Sequence, residues 1–216
     1  MMSKKAYAIL GDYYHDHDLA FNALKEAVKC QDIELYDASV EDMSEILLKK
    51  PDLIVLDKEN RINPEDKEVK YWMDEGIEAQ IEDYVASGGS WLAWHAGLSS
   101  YKQGGLYYAM LRGYFKYHPS VNKEVRYIPS GNALGDYVPE PFAFIDEHYF
   151  VECDTANTNV FLLSESDDGQ STAGWAHEYG QGRVCCLTPA HRVEGLTNPK
   201  MIDLLAQCVK WCVDIK

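Results

Sequence analysis

Gly88-Gly89-Ser90-Trp91-Leu92-Ala93-Trp94-His95-Ala96-Gly97 is the stretch that decides the fold. The glycine pair stops a preceding helical pattern, Ser90 to Trp94 reads as a buried strand, and the chain turns tightly at His95. In open α/β proteins such a turn lifts a side chain out at the carboxyl edge of the sheet, where ligands bind. Here that side chain is an imidazole. It moves protons, holds a metal or donates hydrogen bonds, but rarely replaces Ser or Cys in forming a stable acyl intermediate.

On the N-terminal side, Ala6 to Gly11, Ile33 to Tyr36 and the apolar run Leu53-Ile54-Val55-Leu56 read as strands, separated by helical patterns at Leu19 to Cys30 and Val40 to Leu48. A third helical pattern, Ile77 to Val85, leads into the glycine pair. Strands alternating with helices require crossover connections, so a mostly parallel, doubly wound sheet is expected. The second half changes character. Short strands are expected at Lys123 to Pro129, His148 to Glu152, Asn159 to Ser164, Thr172 to His177 and Arg183 to Thr188, with a hairpin turn at Tyr179-Gly180-Gln181-Gly182. An amphipathic helix over Pro199 to Val213 closes the chain, and Gly104 to Pro141 is its least regular part.

The 216 residues are 46% hydrophobic, enough for one core, and a single domain over residues 1–216 is expected. No apolar run is long enough to span a bilayer and no export signal precedes the first strand, so a cytoplasmic location away from membranes is expected. The net charge of −15, without any Lys/Arg block, argues against a phosphate-backbone surface, so nucleic acid is not an expected partner. The six cysteines, Cys30, Cys153, Cys185, Cys186, Cys208 and Cys212, lack paired CxxC spacing and read as reduced thiols.

Four later motifs then fall into order: Gly113-Tyr114-Phe115-Lys116-Tyr117-His118-Pro119, Phe144-Ile145-Asp146-Glu147-His148-Tyr149, Gly174 to Val184, and Pro189-Ala190-His191. Together with Gly88 to Gly97 they resemble the ThuA-like, or trehalose-utilisation, family from about residue 53 to the C-terminus. The resemblance implies a flavodoxin-like three-layer α/β sandwich, similar to class I glutamine amidotransferases, with added antiparallel strands in the second half. It also implies a role in carbohydrate utilisation. Aligned with the amidotransferase elbow, His95 stands at the position of the cysteine and His191 near the later histidine, so glutaminase chemistry is not expected.

His95, His118, Glu147 and His191 are the candidate catalytic residues, acting by general acid/base chemistry. His118 precedes Pro119 and is held out of helical geometry. Asp146 and Glu147 are adjacent, so on a strand only one of them faces a shared site. Tyr14, His15, Trp94 and Asp146 are the candidate substrate-binding residues, aromatic faces suiting sugar C–H surfaces and polar groups suiting hydroxyls. No cofactor is demanded. A divalent metal such as zinc is the one cofactor these residues would accommodate, either at His95, His118 and His191 or in the loop Asp12 to Asp18.

Three functions remain open at this level: an enzyme acting on a small sugar derivative, a non-catalytic sugar-binding or regulatory protein, and a scaffold whose aromatic loop, Tyr101 to Tyr117, makes a homo-oligomer. A homo-oligomer is the expected state.

Overall fold

A computed structural model describes residues 3–214. The parallel half is built from β1 (Lys4–Leu10), α1 (His17–Val28), β2 (Ile33–Ala38), α2 (Met43–Lys49), β3 (Leu53–Asp57), α3 (Glu75–Ala86) and β4 (Ser90–Trp94). After a 3-10 turn at His95–Leu98 come α4 (Leu106–Leu111) and the strands β5 (Gly113–Tyr117), β6 (Lys123–Pro129), β7 (Phe142–Asp146), β8 (Phe150–Cys153), β9 (Asn159–Ser166), β10 (Gly169–Tyr179) and β11 (Gly182–Leu187). The short α5 (Val193–Leu196) and the long α6 (Pro199–Val213) end the chain.

One nine-stranded sheet runs in the order β2-β1-β3-β4-β11-β10-β9-β6-β7, and β5 pairs with β8 in a separate two-stranded sheet. Neighbours from β2 to β11 are parallel, and those from β11 to β7 are antiparallel. The expected parallel and antiparallel halves are thus joined in a single sheet, divided equally between the two patterns. Four reversals between β11 and β7 restore the direction of β7, so its carboxyl end points to the same edge as those of β1, β4 and β11. Register shifts in β10 bend the antiparallel half.

Strand alternation sorts the core into two layers. Leu53, Val55, Leu92, Trp94, Cys185 and Leu187 face the side covered by α1 and α6, whereas Ile54, Leu56, Trp91, Ala93, Val184 and Cys186 face the side covered by α2, α3 and α4. The protein is therefore a three-layer α/β sandwich. Helix starts follow their caps: Asp16 and Asp74 accept the backbone N–H of Leu19 and Ile77, and Asn198 caps α6, with Pro199 in the first turn.

Two tyrosines of the aromatic loop turn inward, whereas Tyr117 at its end is exposed. Tyr107 and Tyr108 are buried within their own chain and donate to the carbonyls of Gly97 and Leu98 at 2.8 and 3.0 Å, so they secure the turn after β4 instead of presenting a subunit surface. The same region, expected to be irregular, holds α4 and β5. Among the described residues, no helix is long and apolar enough to cross a membrane.

Candidate metal and acid–base site

The turn after β4 is held from every side. His95 has φ +38°, a left-handed conformation unusual for a non-glycine residue, and its side chain is fully buried. The next amide, Ala96 N–H, donates to Asp57 Oδ1 at 3.0 Å. A Cβ on Gly97 would lie 2.2 Å from the Leu56 carbonyl oxygen, so only glycine lets the turn pack this closely on β3.

His95 Nδ1 donates to the Thr188 carbonyl at 2.6 Å, leaving Nε2 to face inward. From the loop after β1, His15 Nδ1 donates to Asp12 Oδ1 at 2.6 Å, and its Nε2 is buried without a partner. After β11, His191 Nδ1 lies 3.3 Å from His95 Nε2. Glu147, just past β7, places Oε2 3.6 Å from His95 Nε2 and 3.7 Å from His191 Nδ1. His15, His95, Glu147 and His191 each offer a ligand atom, and these atoms all lie within 4.8 Å of one another.

Three imidazoles and a carboxylate form a donor set suited to zinc and related divalent ions. Each of two rings is fixed by a bond at its far nitrogen, His15 to a carboxylate and His95 to a carbonyl, the arrangement that selects the tautomer of metal-binding histidines. The orphaned His15 Nε2 is the atom a cation would satisfy. The cluster can coordinate a divalent metal.

The metal set differs from the triad His95, His118 and His191. His118 follows β5, outside the main sheet; its side chain is 38% exposed, and Nδ1 sits 2.8 Å from the Pro119 carbonyl and 3.3 Å from Glu147 Oε1. It stands on the outer side of Glu147, and His15 and Glu147 complete the inner cluster. The loop Asp12 to Asp18 joins this site through His15 alone: His17 bonds to Asp18 and Asp37, and Asp16 caps α1.

The adjacent carboxylates divide as strand alternation requires. Asp146 is fully buried, accepts the Tyr127 hydroxyl at 2.6 Å and the His191 backbone N–H at 2.9 Å, and positions His191 where a substrate contact was expected. That bond also shows how far the antiparallel half curls back. Trp94 likewise changes role: it is fully buried on the α6 side, with its indole N–H on the Pro189 carbonyl, so it packs the core and cannot stack on a sugar. Tyr14 stays half-exposed beside His15 at the rim. Tyr149, the last residue of the Phe144 to Tyr149 motif and not among the site candidates, stacks on His95 with ring centroids 4.1 Å apart.

Burial opposes charge on His95, but the Glu147 carboxylate and the charges of Asp57 and Asp146 outweigh it and raise its pKa to about 9. Burial would raise Glu147, yet the three nearby imidazoles, His95 first, hold it down at about 2. Burial, with the neighbouring charge of His95, pushes His191 down to about 4. These shifts all act in one direction, favouring a charged His95–Glu147 pair beside a neutral His191.

The raised His95 contributes stability that is complete below its ordinary value of 6.5 and lost as pH climbs through about 9. The lowered Glu147 contributes stability present above 4.5 and lost as pH falls through about 2. A metal requires neutral imidazole, so zinc must displace the His95 proton. Calorimetric titrations at pH 7 in buffers of different ionisation enthalpy should show release of about one proton per ion, diminishing above pH 9; no release at pH 7 would contradict this charge state.

The family described as ThuA, trehalose utilisation, matches the chain over residues 8–212. A ThuA-like protein from Parabacteroides merdae ATCC 43184 is similar in structure with a TM-score of 0.74 at 14% identity, over 98% of this chain and 90% of that one. One from Bacteroides uniformis ATCC 8492 gives 0.72 at 16% identity, over 98% and 91%. A β-galactosidase from Bacillus circulans sp. alkalophilus gives 0.66 at 11% identity, over 97% of this chain and 31% of its own. No curated protein matches the chain.

Proposed function

Given that the chain belongs to the ThuA, or trehalose utilisation, family, we propose that it binds a divalent metal at His15, His95, Glu147 and His191 and acts there on a small sugar-derived metabolite by acid–base chemistry. The convergence of these four ligand atoms, with His15 Nε2 buried and unpartnered, carries the reading. When bound, an ion of the zinc class supplies Lewis-acid polarisation of a substrate oxygen. The chain supplies the rest. His118, open to solvent and 3.3 Å from Glu147 Oε1, exchanges a proton with the substrate, and Glu147 orients its ring. Asp12 and Asp146 position His15 and the His191 backbone, while Tyr14 lies at the rim beside the substrate.

The reading includes a class I amidotransferase-like scaffold acting as a single domain in the cytoplasm. The scaffold is supported by the left-handed turn at the end of β4 and by the parallel strand order β2-β1-β3-β4-β11. Since that turn carries His95, thioester chemistry has no nucleophile there. A hydrolytic, eliminating or isomerising step on the sugar derivative uses the same groups.

Thermal unfolding of metal-free and zinc-loaded protein against neutral sugars and keto-sugars tests the proposal, because a ligand selective for the native state raises apparent stability. Zinc should raise the midpoint, and at least one sugar should raise it further in the loaded protein alone. Absence of any sugar effect in the loaded protein would overturn the assignment of substrate class.

A further inference from the structure

A cavity of about 500 Å³ lies between the segment that joins β3 to α3, the first turn of α3 and the stretch from Ser100 to Lys102 that leads to α4. None of the four cluster ligands lines it. Its volume falls within the roughly 300–1,000 Å³ typical of small-molecule clefts.

Two of its lining side chains are almost wholly buried, and each presents one unused polar atom. Glu78, on α3, is 4% exposed; its Oε2 accepts the Leu106 backbone N–H at 3.1 Å, and Oε1 has no hydrogen bond among the described residues. A Cβ on Gly105 would lie 2.6 and 2.7 Å from the two carboxylate oxygens, so glycine there leaves Glu78 its place. Asn60 is 3% exposed. Its backbone N–H donates to the Ser99 carbonyl at 3.3 Å, its carbonyl accepts the Trp72 backbone N–H at 3.1 Å, and Oδ1 accepts the Met73 N–H at 2.9 Å. That last bond fixes which end of the amide is oxygen, and Nδ2 is left without a partner among the described residues. The enclosed orphaned atoms of the described chain are His15 Nε2, Glu59 Oε1 and His177 Nδ1; Glu78 Oε1 and Asn60 Nδ2 are not sealed in this way and open on the cavity that their side chains line.

The charge on the walls selects the partner. Three carboxylates, Asp74, Glu75 and Glu78, face one ammonium, Lys102. Asp74 caps α3 by accepting the Ile77 N–H at 2.9 Å, and Glu75, on the exposed rim, pairs with Lys102 at 2.5 Å. Glu78 is the buried member and has no ion pair among the described residues. A cation is its complement. Tyr101, fixed by its hydroxyl on the Lys58 carbonyl at 2.5 Å, and the exposed Tyr71 supply aromatic surface, which suits both an ammonium and the C–H face of a sugar ring.

We infer that this cavity is a second ligand site, for an amino sugar: the ammonium donates to Glu78 Oε1, a hydroxyl oxygen accepts from Asn60 Nδ2, and the ring lies against Tyr101 and Tyr71. The site is separate from the metal cluster, and its occupancy does not depend on the metal.

Calorimetric titration of the full chain at about pH 6, where the amine is protonated, tests this with D-glucosamine, D-glucose and ethanolamine, each with and without zinc. D-glucosamine should bind equally well in both states of the protein. D-glucose, which lacks the ammonium, and ethanolamine, which lacks the ring, should each bind at least about 10-fold more weakly. Glu78→Gln keeps an oxygen for the Leu106 N–H and removes the charge, and should weaken D-glucosamine about 10–100-fold. Tyr71→Ala, at the exposed rim, should weaken it about 2–10-fold. Absence of D-glucosamine binding, or unchanged affinity in both variants, overturns the inference. Equal binding of D-glucose removes the cation from it, and equal binding of ethanolamine removes the sugar ring; either result overturns the assignment. Binding of D-glucosamine only in the presence of zinc overturns it while sparing the metal-site reading.

Discussion

Exchange of His15 for Gln should weaken zinc binding by more than the roughly 10–100-fold that loss of an orienting partner costs a metal site. His15 supplies the one cluster nitrogen that is both buried and unpartnered, and Asp12 holds its ring with that nitrogen inward. Glutamine removes the imidazole lone pair. The fold should persist, because the backbone N–H groups of Tyr14 and Glu59 still have Asp12 as acceptor. His118→Gln is the informative companion. His118 lies outside the four-ligand cluster, so its loss should leave zinc affinity within about threefold while removing proton exchange at the mouth of the site. Chelator competition measures both variants; equal losses at positions 15 and 118 would refute the assignment of ligands.

Trp94→Ala should cost about 3–5 kcal/mol, the range for truncating a large buried aromatic, out of a total stability of order 5–15 kcal/mol. Trp94 is fully buried in the layer beneath α6, and its truncation opens a cavity and frees the Pro189 carbonyl from its indole partner. For a chain of this size the loss corresponds to a midpoint lowered by about 6–20 °C. Thermal or urea unfolding reads it directly. Near-normal stability with impaired sugar binding would instead restore Trp94 to the substrate site.

The contrast at Trp94 shows where sequence reasoning succeeds and where it stops. The strand itself, Ser90 to Trp94, was legible with its boundaries, as was α6, because long apolar patterns and helix caps are local signals. The direction of one side chain at a strand end is not local. Here alternation sends Trp94 to the α6 side before the turn redirects the chain at His95. β7 was missed although Phe142, Phe144 and Asp146 alternate inward, since Pro139 and Pro141 mark the approach as a turn. At six residues, α4 is too short for helical periodicity to stand out.

Three of the four cluster ligands were recognised as catalytic candidates and the fourth, His15, as a substrate contact; a meeting of His95 and His191 was expected, but the entry of His15 and Glu147 into the ligand set in place of His118 was not. It depends on strand order, which sets the ends of β1, β4 and β11 along one edge, and on the curl that returns β7 to them. His118 was grouped with the metal ligands because its neighbours could not show that β5 belongs to a separate sheet.

The central claim is that the four residues bind one metal ion. Anomalous diffraction at the zinc edge from crystals of zinc-loaded protein tests it most directly. A single strong peak should lie about 2.0–2.2 Å from nitrogens of His15, His95 and His191 and from a Glu147 oxygen. A loaded protein whose only peaks fall elsewhere, with these four side chains still in mutual contact, would contradict the account.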